Sequence, residues 1–313
     1  PQPHTDTVAG FSMHTGHSVA VGESIYTLKR QIGCGSNGVV WLAECVNGHR
    51  LAVKYWLPWI CRLYEPNRPN AAKLEALKAW AKSTGVVVSV TDTRIKLSMY
   101  GPSASFAYKA LSDLDINARF EREQRSPSCA TFCIAACVDP MPISNGVVVM
   151  DLVGPSLAGQ CPLDSSRERH CAYDTLVTAA MSALTQNRCI PDLKPGNLCR
   201  DGFSFKVVDV DMLPKITETN ALQWASYTIP SLNENLVATM LANLVLTMGQ
   251  IYGTIQEWTA TYTFHHNSKA PRDIATLLKY APECCKAIAA VIDPDLTREM
   301  ALDTLGCRLA LSP

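Results

Sequence analysis

The chain has 313 residues, 47% hydrophobic and 18% charged, enough to bury a full core as one large domain or two lobes and too apolar for disorder to be its main state. Lysine plus arginine and aspartate plus glutamate both number 28, so no global field recommends a nucleic acid or an anionic membrane surface as partner, and any electrostatic site must be local. The 13 cysteines are an odd number without the Cys-x-x-Cys pairs of zinc ribbons, which excludes a complete disulfide framework, gives no support to structural zinc and fits reduced thiols in the cytoplasm or nucleus.

The sequence begins Pro1-Gln2-Pro3-His4, with neither an initiator methionine nor an apolar signal segment, so the expectation is a fragment without a visible secretory signal. Residues 1–21 are polar and aperiodic and are expected to be a flexible lead-in. Residues 26–55 then read as strand, glycine turn, strand, tight turn, strand. Val39-Val40-Trp41-Leu42 and Leu51-Ala52-Val53 are β-prone, and Asn47-Gly48 favours a hairpin.

Residues 73–83 have helical spacing at Leu74, Leu77 and Ala81, with Gly85 as a stop, and residues 86–99 alternate as strands do. A helix is expected over 113–125, and buried strands over 132–138 and 146–153. Cys129, Cys133 and Cys137 would form one stripe on a helix, read more readily as small buried hydrophobes than as metal ligands. Gly154-Pro155 is the candidate boundary between two lobes. Beyond it the pattern is mainly helical, over 165–186, 232–252 and 271–312. Residues 236–252 are too short, and too interrupted by Asn243, Thr247 and Gln250, to span a bilayer, so they read as a buried core helix. No internal repeat or low-complexity tract occurs.

Three groups of residues carry chemistry. In the first, Ile32-Gly33-Cys34-Gly35-Ser36-Asn37-Gly38-Val39-Val40 joins two expected strands, and its glycines would let backbone N–H groups approach phosphate oxygens. A dinucleotide fold would need these glycines to open a helix, and a Walker A loop would need a following Gly-Lys-Ser/Thr; neither condition is met. The second is Leu51-Ala52-Val53-Lys54, an apolar run ending in one lysine. The third is Ile190-Pro191-Asp192-Leu193-Lys194-Pro195-Gly196-Asn197, followed by Phe205-Lys206-Val207-Val208-Asp209-Val210-Asp211, with Asp209 lying 17 residues after Asp192. Acidic and amide side chains with a lysine at this spacing suit a metal-bound triphosphate beside a hydroxyl nucleophile, because phosphoryl transfer is mostly positioning and charge neutralisation. His265-His266 and His14 with His17 lack companion ligands, and no Gly-x-Ser-x-Gly or His-Glu-x-x-His occurs to support a hydrolase.

In this order the motifs resemble the glycine loop, the Val-Ala-Ile-Lys strand and the catalytic loop of protein kinases. The resemblance covers roughly residues 26–309. It implies an α+β, two-lobed fold: a small β-rich N-lobe over residues 22–153 and a larger, mainly helical C-lobe over 154–313, with ATP and Mg²⁺ between them. It implies phosphate contacts from Gly33, Cys34, Gly35, Ser36, Asn37 and Gly38, with Val40 and Ala52 also among the cofactor-binding residues and Lys54 on the α- and β-phosphates. Glu123, in Arg119-Phe120-Glu121-Arg122-Glu123, matches the helical partner of that lysine, with Glu75 as rival, and residues 56–117 then form a long insertion. In Gly146-Val147-Val148-Val149-Met150-Asp151-Leu152-Val153-Gly154, Met150 is the gatekeeper, and Asp151 to Val153 form the hinge. Asp192 corresponds to the catalytic base and Lys194 to the residue that steadies the γ-phosphate. Asn197 and Asp209 correspond to the Mg²⁺ ligands.

The sequence departs from that family in several places. Ile190-Pro191 stands where the family has His-Arg, and Asp209-Val210-Asp211 where it has Asp-Phe-Gly. Without that Arg a phosphorylated activation segment loses its usual partner, so Thr217, Thr219, Ser226, Tyr227 or Thr228 need not be switches. Asp211 stiffens the backbone, adds charge near the metal and is the alternative metal ligand. Ile229-Pro230-Ser231 is the nearest string to Ala-Pro-Glu and lacks the glutamate, and Asp293-Pro294-Asp295-Leu296-Thr297-Arg298 resembles the late Asp-Pro-x-x-Arg with one extra residue. The resemblance implies transfer to Ser or Thr hydroxyls of proteins, since Lys194 stands where serine/threonine kinases carry it. Such divergence would suit a viral or otherwise fast-evolving kinase acting inside a cell. A pseudokinase scaffold and a small-molecule kinase of the same superfamily are the alternatives.

Overall fold

The computed structural model describes residues 15–21, 23–34, 38–56, 64–65, 68–69, 86–91, 94–99, 105–109, 147–210, 213–217, 225, 227, 229–232, 234–255 and 273–310. The helices expected over 73–83 and 113–125 and the strand over 132–138 lie outside the described residues, together with Glu75, Glu123 and Cys129, Cys133 and Cys137. The same holds for Gly35, Ser36, Asn37, Asp211, Thr219, Ser226, Thr228, His14, His265 and His266. The chain divides into two compact units: residues 1–125 with 136–152, and residues 126–135 with 153–313.

The first unit is built on a five-stranded antiparallel sheet of order β1-β2-β3-β4-β10, from Ser18–Val21, Ser24–Cys34, Gly38–Cys45, Arg50–Trp56 and Val147–Asp151. β1 lies within the expected lead-in. Over a single short strand Ser18 and Ala20 are exposed, Val19 is buried and Val21 is half-buried, the alternation of a strand with one face on the core. Two backbone bonds, Gly16 N–H to Leu28 O and Leu28 N–H to His17 O, both 2.8 Å, pin this strand to β2.

The β3–β4 connection is a three-residue loop. Gly48 N–H bonds Cys45 O at 2.9 Å, Cys45 N–H bonds His49 O at 3.0 Å, and Gly48 has φ +79, the left-handed position that follows a type I turn in such loops. The sheet's buried layer contains Leu28, Trp41, Ala43, Leu51, Val53 and Val149. β2 carries two register shifts against β3, between Leu28 and Arg30 and between Gln31 and Gly33; such irregularities twist a strand as it approaches its turn. The first unit also holds a two-stranded pair, β5 (Tyr64–Glu65) with β6 (Arg68–Pro69), and a three-stranded meander, β7 (Val86–Thr91), β8 (Arg94–Met99) and β9 (Ser105–Lys109). The alternation over 86–99 is therefore two paired strands.

The described core of the second unit is helical. α1 (Ser166–Thr185) starts at Ser165, whose hydroxyl accepts from Glu168 N–H at 3.3 Å, and Ser165-Ser166-Arg167-Glu168 is the sequence of a capping box. α2 (Leu236–Tyr252) is buried along its whole length except Tyr252. The sequence pattern placed its start at residue 232. A separate 3₁₀ turn, Pro230–Leu232, precedes the helix, and Asn235 is the cap, its side-chain oxygen accepting from Ala238 N–H at 2.9 Å. The cap's amide nitrogen also donates to Pro294 O and Leu296 O, both at 2.9 Å, tying the helix start to a distant loop.

The helical stretch expected over 271–312 is broken by prolines into α3 (Ile274–Tyr280), a 3₁₀ turn Glu283–Cys285, α4 (Lys286–Ala290) and α5 (Arg298–Ala310). Arg298 Nε donates to Leu184 O at 2.8 Å, satisfying a carbonyl at the end of α1. A two-stranded hairpin completes the unit: β11 (Leu198–Asp201) and β12 (Ser204–Val207), turned by Gly202 at φ +60. Gly154 N–H bonds Arg200 O at 2.7 Å, and a Cβ at residue 154 would lie 2.9 Å from that oxygen, so the close approach of two backbones requires glycine.

Candidate active site

Strand register assembles one group of candidate residues in the first unit. Gly33 pairs with Val40, Val40 with Lys54, Leu42 with Ala52, and Ala52 with Met150. Directly paired residues share a face of an antiparallel sheet, and so do residues two apart on one strand. Gly33, Val40, Ala52, Lys54 and Met150 therefore occupy neighbouring positions on one face across four strands. Lys54 is only 5% exposed, unusual for a lysine. Cys34 and Gly38 end and begin the strands that flank the glycine turn. Asp151 pairs with Leu51 and so falls on the opposite face from Met150, at the end of β10, while Val153 belongs to the second unit.

The second group lies on the loop between α1 and β11. Asp192 Oδ2 accepts from Lys194 Nζ at 2.7 Å and from Asn197 Nδ2 at 3.1 Å, and Asn197 Nδ2 also reaches Asp192 O at 3.0 Å. Three of the residues named from sequence thus form one hydrogen-bonded cluster. Both donors converge on a single carboxylate oxygen, one as a charged ammonium, and such charge-assisted bonds are stronger than neutral ones.

The loop's shape has local causes. Pro195 opens the 3₁₀ turn Pro195–Asn197, where a missing N–H costs nothing, and Asn197 N–H bonds Lys194 O at 3.0 Å. Ile190 and Leu193 are buried anchors on either side of Pro191 and Asp192. From below, the α2 hydroxyl of Thr247 donates to Leu193 O at 3.1 Å.

The β11–β12 hairpin brings Asn197 and Asp209 together. Leu198 pairs with Val207, and Val208 N–H bonds Asn197 O at 2.9 Å, so the residue before β11 sits across from the residue next to Asp209. Asp209 has φ +59, the left-handed backbone that costs most residues about 1–2 kcal/mol and that Asp tolerates better than most. Asn197 commits its amide nitrogen to Asp192, which leaves the amide oxygen as the atom able to face a cation; that donor set fits a hard, oxygen-preferring ion. Among the described residues no preformed cluster of three or more His, Cys, Asp or Glu side chains occurs.

After Asp209 the chain doubles back along the residues that precede the loop. Cys189 N–H bonds Pro214 O at 3.0 Å, Ile216 N–H bonds Asn187 O at 3.2 Å, and Arg188 Nη1 donates to Leu213 O at 2.6 Å. Sequence reasoning did not single out Arg188. Nor did it foresee the polar side chains of α2 as anchors. Asn243 Nδ2 donates to Tyr227 O at 2.9 Å, and Thr239 Oγ1 to Leu232 O at 3.4 Å, so Thr239, Asn243 and Thr247, one helical turn apart, each hold a carbonyl outside the helix, two on the segment leading into α2 and one beside Asp192. The signal was present as three polar residues at four-residue spacing in an apolar helix. Spacing gives their common face but not their partners.

No family model matches the chain, and no curated protein matches it. Among solved structures, the crystal structure of the Mycobacterium tuberculosis PknI kinase domain is similar, with a TM-score of 0.50 at 13% identity over 96% of this chain and 100% of that one. A cysteine-to-alanine mutant of the same domain gives a TM-score of 0.52 at 12% identity, covering 96% of this chain and 98% of that one. Identity this low speaks for the fold alone. The chain has a two-lobed, protein-kinase-like fold, with an antiparallel N-terminal sheet and a helical C-terminal region.

Proposed function

We propose that this chain transfers the γ-phosphate of ATP, with Mg²⁺, to Ser or Thr hydroxyls of protein substrates. The observation that carries the reading is the cluster of Asp192, Lys194 and Asn197, with Lys194 Nζ 2.7 Å from the Asp192 carboxylate on a loop held by α2. Asp192 orients the substrate hydroxyl and accepts its proton, and Lys194 pivots from Asp192 to steady the transferring phosphoryl group. Asn197, through its amide oxygen, and Asp209 are the residues that would hold Mg²⁺, which neutralises charge on the phosphates. In the first unit Lys54, presented on the same sheet face as Val40, Ala52 and Met150, binds the α- and β-phosphates. Gly33 to Gly38 supply backbone donors, with Asp151 and Val153 at the adenine edge. Glu123 is the proposed partner of Lys54.

One observation favours a second reading, a binding scaffold. Pro191 occupies the position of the family's Arg immediately before Asp192, and it is buried rather than presenting a cation to a phosphorylated segment. The partners that follow from the first reading are ATP and a protein substrate. None of the described helices is long and apolar enough to cross a membrane.

The test combines melting with transfer. Mg²⁺ with ATP should raise the melting temperature, and radiolabelled phosphate should pass to protein. Asp192→Asn should abolish transfer while preserving the nucleotide-dependent rise. Transfer that survives Asp192→Asn removes Asp192 as the base. Nucleotide binding without turnover, across protein and small-molecule panels, establishes the scaffold instead, and turnover on small molecules alone replaces the protein substrate.

A further inference from the structure

Cys284 and Cys285 are consecutive residues in the 3₁₀ turn between α3 and α4, and their Sγ atoms are in hydrogen-bonding contact at 3.8 Å. Their settings differ. Cys285 is fully buried in the helical core, whereas Cys284 is partly exposed. Tyr252, the last residue of α2, faces Cys284, and the Arg169 guanidinium of α1 lies 5.1 Å from its ring centroid. Glu283, a further charged neighbour among the described residues, is exposed on the turn itself.

We propose that Cys284 and Cys285 form a peroxide-oxidisable dithiol site, in which Cys284 reacts with a hydroperoxide and Cys285 resolves the product into a disulfide between adjacent residues.

The atoms and electrons balance in two steps. The Cys284 thiolate attacks one peroxide oxygen; an S–O bond forms, the O–O bond breaks, sulfur loses two electrons, and the other oxygen leaves as water after taking up a proton. The Cys285 sulfur then attacks Cys284; the S–S bond forms, the S–O bond breaks, and hydroxide leaves as water with the Cys285 proton. Two thiols and hydrogen peroxide thus give one disulfide and two waters.

The surroundings select this pair. The contact from Cys285 holds the Cys284 thiol down at about 7, opposed by burial and helped by the Tyr252 hydroxyl and the backbone. Burial pushes Tyr252 itself up to about 12, with Cys284 adding to the rise, so its hydroxyl keeps its proton at neutral pH. Burial also pushes the Cys189 and Cys199 thiols up, to about 12 and about 11, and so keeps both unreactive.

Disulfide formation must act on the fold. The sulfurs have to close from 3.8 Å to about 2.0 Å, in a ring that includes the peptide bond joining the two residues. The reduced turn is held by Cys285 N–H to Pro282 O at 2.8 Å and by Lys286 N–H to Glu283 O. Oxidation therefore strains the start of α4, which packs against α2, α3 and α5.

The full chain, treated with hydrogen peroxide, alkylated and digested with trypsin, tests the proposal, because the peptide 280–286 carries these two cysteines and no others. The expected product is this peptide lighter by two hydrogens, without alkyl groups and restored by dithiothreitol. Cys284→Ser should block the reaction, and Cys285→Ala should leave Cys284 as a sulfenic or sulfinic acid. At pH 7 the folded chain should react roughly threefold faster than the urea-unfolded chain, the gain in thiolate fraction being offset in part by lower nucleophilicity. Full alkylation of both cysteines at a peroxide dose that oxidises the exposed Cys307 overturns the proposal, as does an equal rate in urea; both readings come from the wild-type chain and need no variant to fold.

Discussion

The Thr247 hydroxyl reaches the carbonyl of Leu193 at 3.1 Å, sharing its one proton with Asn243 O at 2.7 Å, from a helix position only 1% exposed to a residue next to Asp192. Leu193 itself is only 2% exposed, so bulk solvent does not take the place of that donor. Thr247→Val, nearly the same size, leaves the carbonyl unpartnered at a cost of about 1–3 kcal/mol. The expected outcome is a lower melting temperature and a drop in turnover greater than the loss of folded protein accounts for, with Thr247→Ser restoring both. A Val variant that turns over normally would show that Leu193 and Asp192 keep their places without this bond.

Lys54 is expected to act on phosphate. Lys54→Met keeps the length of the side chain and removes its charge, and should lower transfer roughly 10²- to 10³-fold, the usual loss when one preorganised charge is withdrawn. Thermal melting without nucleotide and a steady-state transfer assay separate the effects. If the lysine only supports the sheet, activity will fall in step with the folded fraction.

Two glycines should separate folding from ligand binding. At Gly154 an added Cβ would sit 2.9 Å from a backbone oxygen, so Gly154→Ala should destabilise by about 1–3 kcal/mol, read as a lower midpoint in urea. At Gly33 it would meet Val40 at 3.6 Å, ordinary contact, so Gly33→Ala should melt as the wild type does. Its nucleotide-dependent rise in melting temperature should nevertheless shrink, because the new methyl occupies the sheet face that carries Val40, Ala52 and Lys54.

Arg188 fixes the segment after Asp209 through the carbonyl of Leu213, without a phosphate. Phosphatase treatment should therefore leave transfer unchanged. Arg188→Ala should instead speed tryptic cleavage after the exposed Lys215 by about tenfold, the loss of one charged hydrogen bond of about 1.5 kcal/mol. Phosphatase sensitivity would show that another cation has replaced the missing Arg.

The sheet and the two main helices can be read from sequence because their patterns are local: β-prone runs split by Asn47-Gly48, and a capping serine ahead of α1. The loop cluster of Asp192, Lys194 and Asn197 can be read for the same reason, since three residues within one turn of chain have few ways to avoid each other. What spacing could not give was long-range pairing. Nothing near Thr247 points to Leu193, 54 residues away, and nothing near Arg188 points to Leu213. Residues 18–21 read as part of the polar segment before them because one short strand carries too few alternations to stand out; only pairing with β2 makes it a strand.

The burial of α2 on every side has a consequence for tolerance to change. A helix at a surface accepts substitutions with a rhythm, permissive on the wet side and strict on the dry one. From Leu236 to Ile251 this helix has no wet side, and its Thr, Asn and Gln residues are as enclosed as its leucines. A saturation scan across it should show an unbroken band of intolerance with no 3.6-residue beat, ending abruptly at Tyr252, while α1 keeps the beat.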